Sequence, residues 1–299
     1  MANLAFVGIS VHDMIFKIPV LPLSEGKYPA TNFFEEGGGP AATAAVTAAV
    51  IGTNSFLISR VGSDYRGSLI IDELKKYGVN VVNIKKIEGA LSSVSAVLVS
   101  ENGERIISNY LDPHLIDDPS WITDEMLKDK NLVLADVRWV KGALKAFSIS
   151  NKYQITTVLD ADVTTSDITE LLLLTDHCIF SKQGIVNLTG IPDIINGLFK
   201  ADKLTKGIVY ATDGEKGCYW IENGVLKHFP GYKVKVLDTT GAGDVFHGAF
   251  ALSISENSNI GKAIQFASAT AAIKCTKSGT RKGIPTRKEI NRFIELNHN

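Results

Sequence analysis

The sequence predicts an α/β fold: a mostly parallel central sheet flanked by helices on both faces (an αβα sandwich), with a small β-sheet lid. Short apolar runs alternate with amphipathic helical patterns along the second half of the chain, and two segments of the first half interrupt this rhythm. A chain of 299 residues with 45% hydrophobic content can also bury one large core. Strands that alternate with helices form βαβ units, whose strands are parallel and covered by helices.

The core elements are predicted from this alternation, in chain order. Apolar runs of four to six residues indicate strands, and the amphipathic stretches between them indicate helices. Strands are expected at 4–8, 132–135, 155–159, 177–180 and 207–211, followed by a hairpin of 218–221 and 225–229 turned at Asn223-Gly224. Helices are expected at 41–51, 140–151, 167–174, 184–189, 244–256, 260–274 and 286–296.

The lid is predicted from the two segments that lack helical signals, residues 13–34 and 91–110. In the second segment apolar residues alternate with polar or small ones before a turn at Asn102-Gly103. We expect the two segments to meet as a small antiparallel sheet, which leaves 1–12, 35–90 and 111–299 as the core. A β-appendage without a catalytic role is the alternative interpretation.

The bulk composition excludes several classes of protein. A net charge of −1 and a pI near 6.6 give no reason to expect a nucleic-acid partner. The start of the chain has no signal-peptide pattern, and the most apolar helix, 41–51, is too short to span a bilayer, so no membrane partner is expected. Three widely separated cysteines lack metal-site spacing and indicate buried thiols. These features predict a cytoplasmic protein.

A glycine-rich turn near the C-terminus carries the strongest functional signal. An apolar run at 232–237 leads into Asp-Thr-Thr-Gly-Ala-Gly-Asp at 238–244, and a helix is expected from about Asp244. Gly241, Ala242 and Gly243 have almost no side chains, so a ligand can approach their N–H groups at the positive end of the helix. Asp244 suits a base that takes a proton from an attacking hydroxyl while the amides hold a phosphoryl group. An ordinary helix cap is the alternative.

The longer string, followed by an amphipathic helix, resembles the signature of the ribokinase-like (PfkB) sugar kinases. The resemblance implies the ribokinase-like fold, transfer of phosphate from ATP with Mg²⁺, and catalytic roles for Asp244 and for Gly241, Ala242 and Gly243. It also implies that the lid closes over the sugar and pairs with a second subunit, so we expect a homodimer. The sequence has no P-loop, protein-kinase or Rossmann pattern.

The resemblance also implies a sugar-binding side. Gly38 and Gly39 lie in a glycine run that opens the first helix, where the family contacts sugar hydroxyls. Asp13 follows the first strand, where the family has a carboxylate that binds adjacent hydroxyls. Ala42 is a departure, because the family usually has an Asn there, and this indicates a substrate with a different polar pattern.

On the nucleotide side, the matching positions are Thr212, Gly214, Gly217, Ala271 and Gly279. Asp238 and Thr240 match positions that hold a monovalent cation near the anion hole in some relatives.

A second departure concerns Mg²⁺. Many relatives have an Asn-x-x-Glu motif that organises the Mg²⁺ waters, and this chain has Ser181 and Gly184 at those positions. Mg²⁺ is still expected, because phosphoryl transfer needs its charge, but no Mg²⁺ ligand is predicted.

Stretches around Lys27, Asn109 and Arg138 resemble a subgroup, the bacterial 6-deoxy-6-sulfofructose kinases of sulfoglycolysis. The resemblance implies that these three side chains bind the sulfonate, a permanent anion that needs fixed donors. Two alternatives stay open. The first is a kinase of the same family for a phosphorylated or neutral ketose, such as fructose 6-phosphate, tagatose 6-phosphate, fructose or ribose. The second is a non-catalytic sugar or nucleotide sensor.

Overall fold

The computed structural model describes residues 1–101 and 103–297. Within them the strands are β1 (Asn3–Val7), β2 (Val11–Ile18), β3 (Asn32–Gly38), β4 (Asn54–Gly62), β5 (Ile84–Ile87), β6 (Val94–Ser100), β7 (Arg105–Tyr110), β8 (Leu132–Asp136), β9 (Thr156–Ala161), β10 (His177–Ser181), β11 (Ile208–Thr212), β12 (Cys218–Glu222) and β13 (Val225–Phe229). The α-helices are α1 (Pro40–Ile51), α2 (Tyr65–Lys76), α3 (Asp124–Leu127), α4 (Val140–Lys152), α5 (Thr169–Leu173), α6 (Lys182–Thr189), α7 (Ile194–Asp202), α8 (Ala242–Ser255), α9 (Ile260–Cys275) and α10 (Arg287–Leu296).

The large sheet has nine strands in the order β13-β12-β11-β10-β9-β8-β1-β4-β5. Strands β11 through β5 in this order are parallel, and the hairpin β12–β13 adds two antiparallel strands at one edge. The predicted α/β fold with a mostly parallel sheet is therefore confirmed. Ligands of open parallel sheets bind at the carboxyl ends of the strands, so a site is expected where the parallel strands of this sheet end.

The two faces of the sheet bury separate apolar clusters. In β1, Leu4 and Phe6 face the cluster that contains α1, α8 and α9, whereas Ala5 and Val7 face the cluster formed with α4 and α7. This alternation follows from the strand period of two residues. Helix α1 is buried along most of its length because it lies between the sheet and α8, which explains its Ala-rich sequence.

The predicted lid is a separate sheet in the order β3-β2-β6-β7. We expected an antiparallel lid, and this expectation is only partly correct. The two central strands, β2 and β6, pair in parallel. The strands also begin at Val11 and end at Gly38, outside the expected limits 13–34 of the first segment. Asn102 of the predicted turn, and residues 298 and 299 at the end of the predicted core, lie outside the described residues.

In the described part of the chain, every helix is too short or too polar to span a membrane. Cys178 and Cys218 are buried and Cys275 is half-buried, and none of the three forms a disulfide.

Candidate active site

The glycine-rich turn caps helix α8, which begins at Ala242, two residues before the predicted start. Gly241 is the N-cap residue with φ of 71°, and a Cβ at this position would lie 2.4 Å from Cγ2 of Thr280. Only glycine fits here, because both the backbone conformation and the space exclude a side chain. The amide of Ala242 already donates to the carbonyl of Thr239 at 3.1 Å. The amides of Gly243 and Asp244 therefore remain for an anion in the first turn.

Asp244 lies half-buried in that first turn. Burial raises the pKa of its carboxyl to about 7, with a further increase from the charge of Asp160 and an opposing effect of His247. A carboxyl with a pKa near neutral pH is well matched to general-base chemistry, because it accepts a proton without being fully protonated beforehand.

Asp160 and His247 form a buried pair that the sequence did not predict. Nδ1 of His247 lies 2.9 Å from a carboxylate oxygen of Asp160, and both side chains are buried. Burial alone would lower the pKa of His247, but the pKa is raised, because the combined effects of Asp160, Asp244 and Asp162 exceed the cost of burial. One ligand atom each of Asp160, Asp244 and His247 lies within 4.8 Å of the others. The imidazole of His247 therefore compensates the charge of Asp160, so Asp160 and Asp244 do not form a pair of uncompensated carboxylates.

Asp136 anchors the backbone around the site. It ends β8 and is the register partner of Asp160 on β9. Its carboxylate accepts hydrogen bonds from the amides of Ile9, Ala41 and Arg138 at 2.9–3.1 Å. Burial raises its pKa to about 6. This acid ties the exit of β1 to the start of α1, so it is a structural group.

The structure brings two of the predicted sugar-binding residues, Asp13 and Asn109, into one row of the lid. Asp13 is the register partner of both Glu36 and Ser95, and Ser95 is the partner of Asn109, so these residues form one row. The amide of Asn109 donates to Oγ of Ser95 at 3.1 Å. Burial raises the pKa of Asp13.

The two predicted glycines adjoin this row. A Cβ at Gly38 would lie 2.1 Å from a carboxylate oxygen of Asp13, so the close approach of these two residues requires glycine. Gly39 is the N-cap residue of α1. Asp13, Gly38 and Gly39 are therefore neighbours at the entrance to that helix.

Glu36 and Arg281 join the lid to the loop after α9, and sequence reasoning missed both. The carboxylate of Glu36 accepts hydrogen bonds from the amides of Thr280 and Arg281 at 2.9 and 3.1 Å. The guanidinium of Arg281 donates to the carbonyl of Gly38 at 2.9 Å and to Glu73 at 3.1 Å. Glu36 directly precedes the glycine run 37–39 in the sequence, and this position was the signal that could have indicated the contact.

Arg138 and Lys27, predicted to bind an anion, have different surroundings. The guanidinium of Arg138 donates to Asp162 and to the carbonyl of Val163, both at 2.8 Å. It also lines a cavity of about 480 Å³ that is shared with Arg60 and Lys141. Lys27 is exposed, in the loop between β2 and β3. No contact in the described structure joins Lys27, Asn109 and Arg138.

Four of the five residues predicted for the nucleotide line one pocket of about 710 Å³: Thr212, Gly214, Gly217 and Ala271. Ala242 and Gly243 line the same pocket, so it opens onto the start of α8. Gly279 does not line it. Instead its amide donates to a carboxylate oxygen of Asp238 at 3.0 Å, and the amide of Thr240 donates to the other at 2.9 Å.

The departure at Ser181 and Gly184 has a structural basis. Oγ of Ser181 accepts the amide of Gly184 at 2.9 Å and donates to Asp162 at 2.8 Å. A Cβ at Gly184 would lie 2.4 Å from the carbonyl oxygen of Ala161, so a glutamate cannot occupy this position without movement of α6. The carboxylate next to this helix is supplied by Asp162 instead.

Comparisons with known proteins identify the family of this chain. A family model described as pfkB family carbohydrate kinase matches residues 1–287. The deoxyribokinase of Salmonella typhimurium is 26% identical over 308 residues, which cover 99% of both chains. The ribokinase structure from Thermotoga maritima has a TM-score of 0.88 at 25% identity, over 99% of this chain and 100% of that one.

Ribokinase from Arabidopsis thaliana, complexed with ribose and ATP, has a TM-score of 0.85 at 24% identity over 99% of both chains. Together, the family match, the fold and the arrangement of Asp244 at the start of α8 identify the class of protein. The chain belongs to the pfkB family of carbohydrate kinases, and it is a sugar kinase, a phosphotransferase with an alcohol group as acceptor.

Proposed function

We propose that the enzyme transfers the γ-phosphoryl group of ATP to the 1-hydroxyl of 6-deoxy-6-sulfofructose, giving 6-deoxy-6-sulfofructose 1-phosphate and ADP. The observation that carries the transfer step is the position of Asp244 at the start of α8. There it adjoins residues that line the nucleotide pocket, and its pKa is raised to about 7. Because ATP is the donor, we propose that this reaction, a step of sulfoglycolysis, takes place in the cytoplasm.

In this reaction the oxygen of the 1-hydroxyl forms a bond to the γ-phosphorus, and the bond from that phosphorus to the bridging oxygen of ADP breaks. The hydroxyl proton passes to the carboxylate of Asp244. The amides of Gly243 and Asp244 stabilise the charge of the transferring group. Asp13, Gly38 and Gly39 orient the sugar hydroxyls, since their polar groups meet at the entrance to α1.

Asp162 fits the water shell of Mg²⁺, because its side chain is part-exposed and carboxylate oxygens are the donors that this ion prefers. It lies just past the end of β9 and accepts a hydrogen bond from Ser181, at the start of α6. Bound with ATP, Mg²⁺ would neutralise part of the phosphate charge.

We propose that Arg138, Asn109 and Lys27 bind the sulfonate and so determine which sugar is phosphorylated. Two N–H groups of Arg138 are engaged by Asp162 and Val163, which fixes the plane of the guanidinium and leaves three donors for a ligand. The cavity beside Arg138 is also lined by Arg60, Lys141 and two acids, Asp112 and Asp117, and Asp117 lies within salt-bridge distance of both Arg60 and Lys141. Arg138 is therefore the lining cation that we assign to the sulfonate. Asn109 shares its row with Asp13, so it can face the same sugar.

A substrate panel with Mg²⁺·ATP tests the sugar. We expect the highest kcat/KM for sulfofructose, and a higher value for fructose 6-phosphate would refute the sulfosugar assignment. The variant R138A should lower kcat/KM for sulfofructose about 10²-fold, the cost of truncating one partner of a charged pair, and leave neutral-sugar turnover nearly intact. K141A is the matched control, because Lys141 lines the same cavity but pairs with Asp117.

The variant D244N separates a kinase from a sugar or nucleotide sensor. We expect it to abolish ADP release while the sugar still shifts the unfolding temperature. Unchanged ADP release would show that Asp244 is not the base.

We also propose that a second copy of the chain docks on the outer face of the lid. Phe33, Phe16, Leu98 and Ile106 are successive register partners and form one apolar row across all four strands. Phe33 is 48% and Ile106 44% exposed at the two ends of this row, so the row presents apolar surface to solvent along the lid. Light scattering after size exclusion should show a dimer that I106E dissociates. L173E, at an exposed leucine of α5, is the control, and a wild-type monomer would refute the proposal.

A further inference from the structure

Lys274 is a lysine with none of its surface exposed to solvent. It is the next-to-last residue of α9, a helix whose other buried residues are alanines, isoleucines and one threonine. Its Nζ donates to the backbone carbonyl of Asp238 at 2.9 Å and lies 3.7 Å from a carboxylate oxygen of the same residue. A charge is buried in this way only where partners compensate it, so the ammonium has a definite local function.

Asp238 and Thr240 are the residues whose positions imply a monovalent cation in this fold, and the oxygens of Asp238 do not fit that ion here. Its carbonyl oxygen already accepts a hydrogen bond from the ammonium of Lys274. Its two carboxylate oxygens accept the amides of Thr240 and Gly279. A metal ion at these oxygens would have to displace the ammonium or lie beside another positive charge.

We propose that the ammonium of Lys274 is a built-in substitute for the monovalent cation, so that this kinase needs no K⁺ for turnover. Lys274 acts as a positioning residue: it holds Asp238, and Asp238 orders the backbone at Thr240 and Gly279. The next residue after Thr240 is Gly241, the cap of α8, so the ammonium supports the shape of the anion-binding turn.

Cation dependence of the wild-type enzyme is the first test. Initial rates are measured in a choline-based buffer free of K⁺, Na⁺ and NH₄⁺, with KCl or choline chloride added to the same ionic strength. The sugar is the best substrate of the panel, whichever that is. We expect equal rates in the two salts. Saturable activation of several-fold by K⁺ would overturn the proposal.

Two variants at position 274 provide the second test. In K274A the space of the side chain is emptied, whereas in K274M the stem is kept without the charge. Both should lower kcat about tenfold or more, because the turn is less well positioned. K⁺ or NH₄⁺ should restore K274A saturably and leave K274M low. K262A, an exposed lysine at the other end of α9, is the matched control and should behave as wild type.

The midpoint of thermal unfolding gives a readout that needs no sugar. KCl, compared with choline chloride, should raise the midpoint of K274A and leave wild type and K274M unchanged. If K274A loses activity without any K⁺-specific recovery or shift, Lys274 is merely structural and the proposal fails. If K274A does not fold, the wild-type measurement still decides, and an error in the sugar assignment affects none of the unfolding results.

Discussion

The variant D160N should move the acid limb of the pH–rate profile to lower pH. Asp160 is the largest charge effect on Asp244, and it raises the pKa of that base. The substitution removes this repulsion while it keeps the size of the side chain. His247 loses its partner and with it some of its charge, which acts in the opposite direction. Because the effect of Asp160 is the larger of the two, the pKa of Asp244 falls in either case.

The size of the shift follows from the geometry. The nearest ligand atoms of Asp160 and Asp244 lie within 4.8 Å. At this distance two unit charges interact by about 3.5 kcal/mol at an effective dielectric constant of about 20, and by about 0.9 kcal/mol in bulk water. At about 1.4 kcal/mol per pKa unit, the midpoint of the acid limb should move from pH about 7 to a pH lower by about 0.6 to 2.5. Neutralisation of His247 makes this decrease smaller, so we expect a value closer to about 0.6.

The assay is kcat/KM between pH 5 and 9 with saturating Mg²⁺·ATP and a sugar without a titrating group in this range. Asp244 acts as base in its ionised form, so the wild-type rate should rise with pH through about 7 and then level off. The ratio of D160N to wild-type activity should increase as the pH falls. D162N is the matched control, because Asp162 is the weakest of the named charges and should give a smaller shift in the same direction. An unchanged limb, or one displaced to higher pH, would refute the reasoning.

Three further predictions concern the site and its support. The pKa of Asp244 is raised in the folded state, so its ionisation opposes folding and the wild type should lose stability as the pH rises from about 4 to about 7. In urea titrations, D244N should therefore have a free energy of unfolding higher than wild type by up to about 4 kcal/mol at pH 8, and this gain should vanish near pH 4. G38A places a methyl group 2.1 Å from an oxygen of Asp13, which should raise KM for the sugar about 10²-fold and leave KM for ATP unchanged in steady-state assays; equal changes in both would argue against a sugar site. R281M removes the hydrogen bonds of the buried guanidinium to part-exposed Glu73 and to the carbonyl of Gly38 and should lower the free energy of unfolding by about 1.5–3 kcal/mol in urea titrations, whereas R287M, at an exposed pair, should cost under about 1 kcal/mol.

Local patterns were sufficient for most strands and helices from residue 132 onward and for the helix that follows the glycine-rich turn, but they missed β4, β5, α2, α3 and α7. The predicted strand at 132–135 and helix at 140–151, for example, match β8 and α4 within one residue. Such runs carry their period in contiguous residues, so no distant contact is needed to read them. Asp13, Gly38 and Gly39 were placed from motif positions, and the structure brings them to one place.

Contacts between distant segments could not be predicted in this way. The parallel pairing of β2 with β6 joins strands about eighty residues apart, and nothing in either strand specifies the direction of the other. The pair of Asp160 and His247 depends on where α8 crosses the end of β9. Lys274 resembles an ordinary solvated helix charge until the burial of its side chain is known.

The acids at this edge of the sheet explain which of them can act as the base. Four have a cation within salt-bridge distance: Asp160 with His247, Asp162 with Arg138, Asp213 with Lys182, and Asp238 with Lys274. Within the described residues Asp244 and Asp136 have no such partner, and burial raises the pKa of both. Asp136 is nonetheless unavailable, because three backbone amides occupy its oxygens and its side chain is fully enclosed. Among these acids, Asp244 alone combines an unpaired carboxylate with a half-buried position next to Gly243, which lines the pocket. A base at this site has to be the acid whose charge no protein cation already stabilises, since a paired carboxylate gains less from taking the proton.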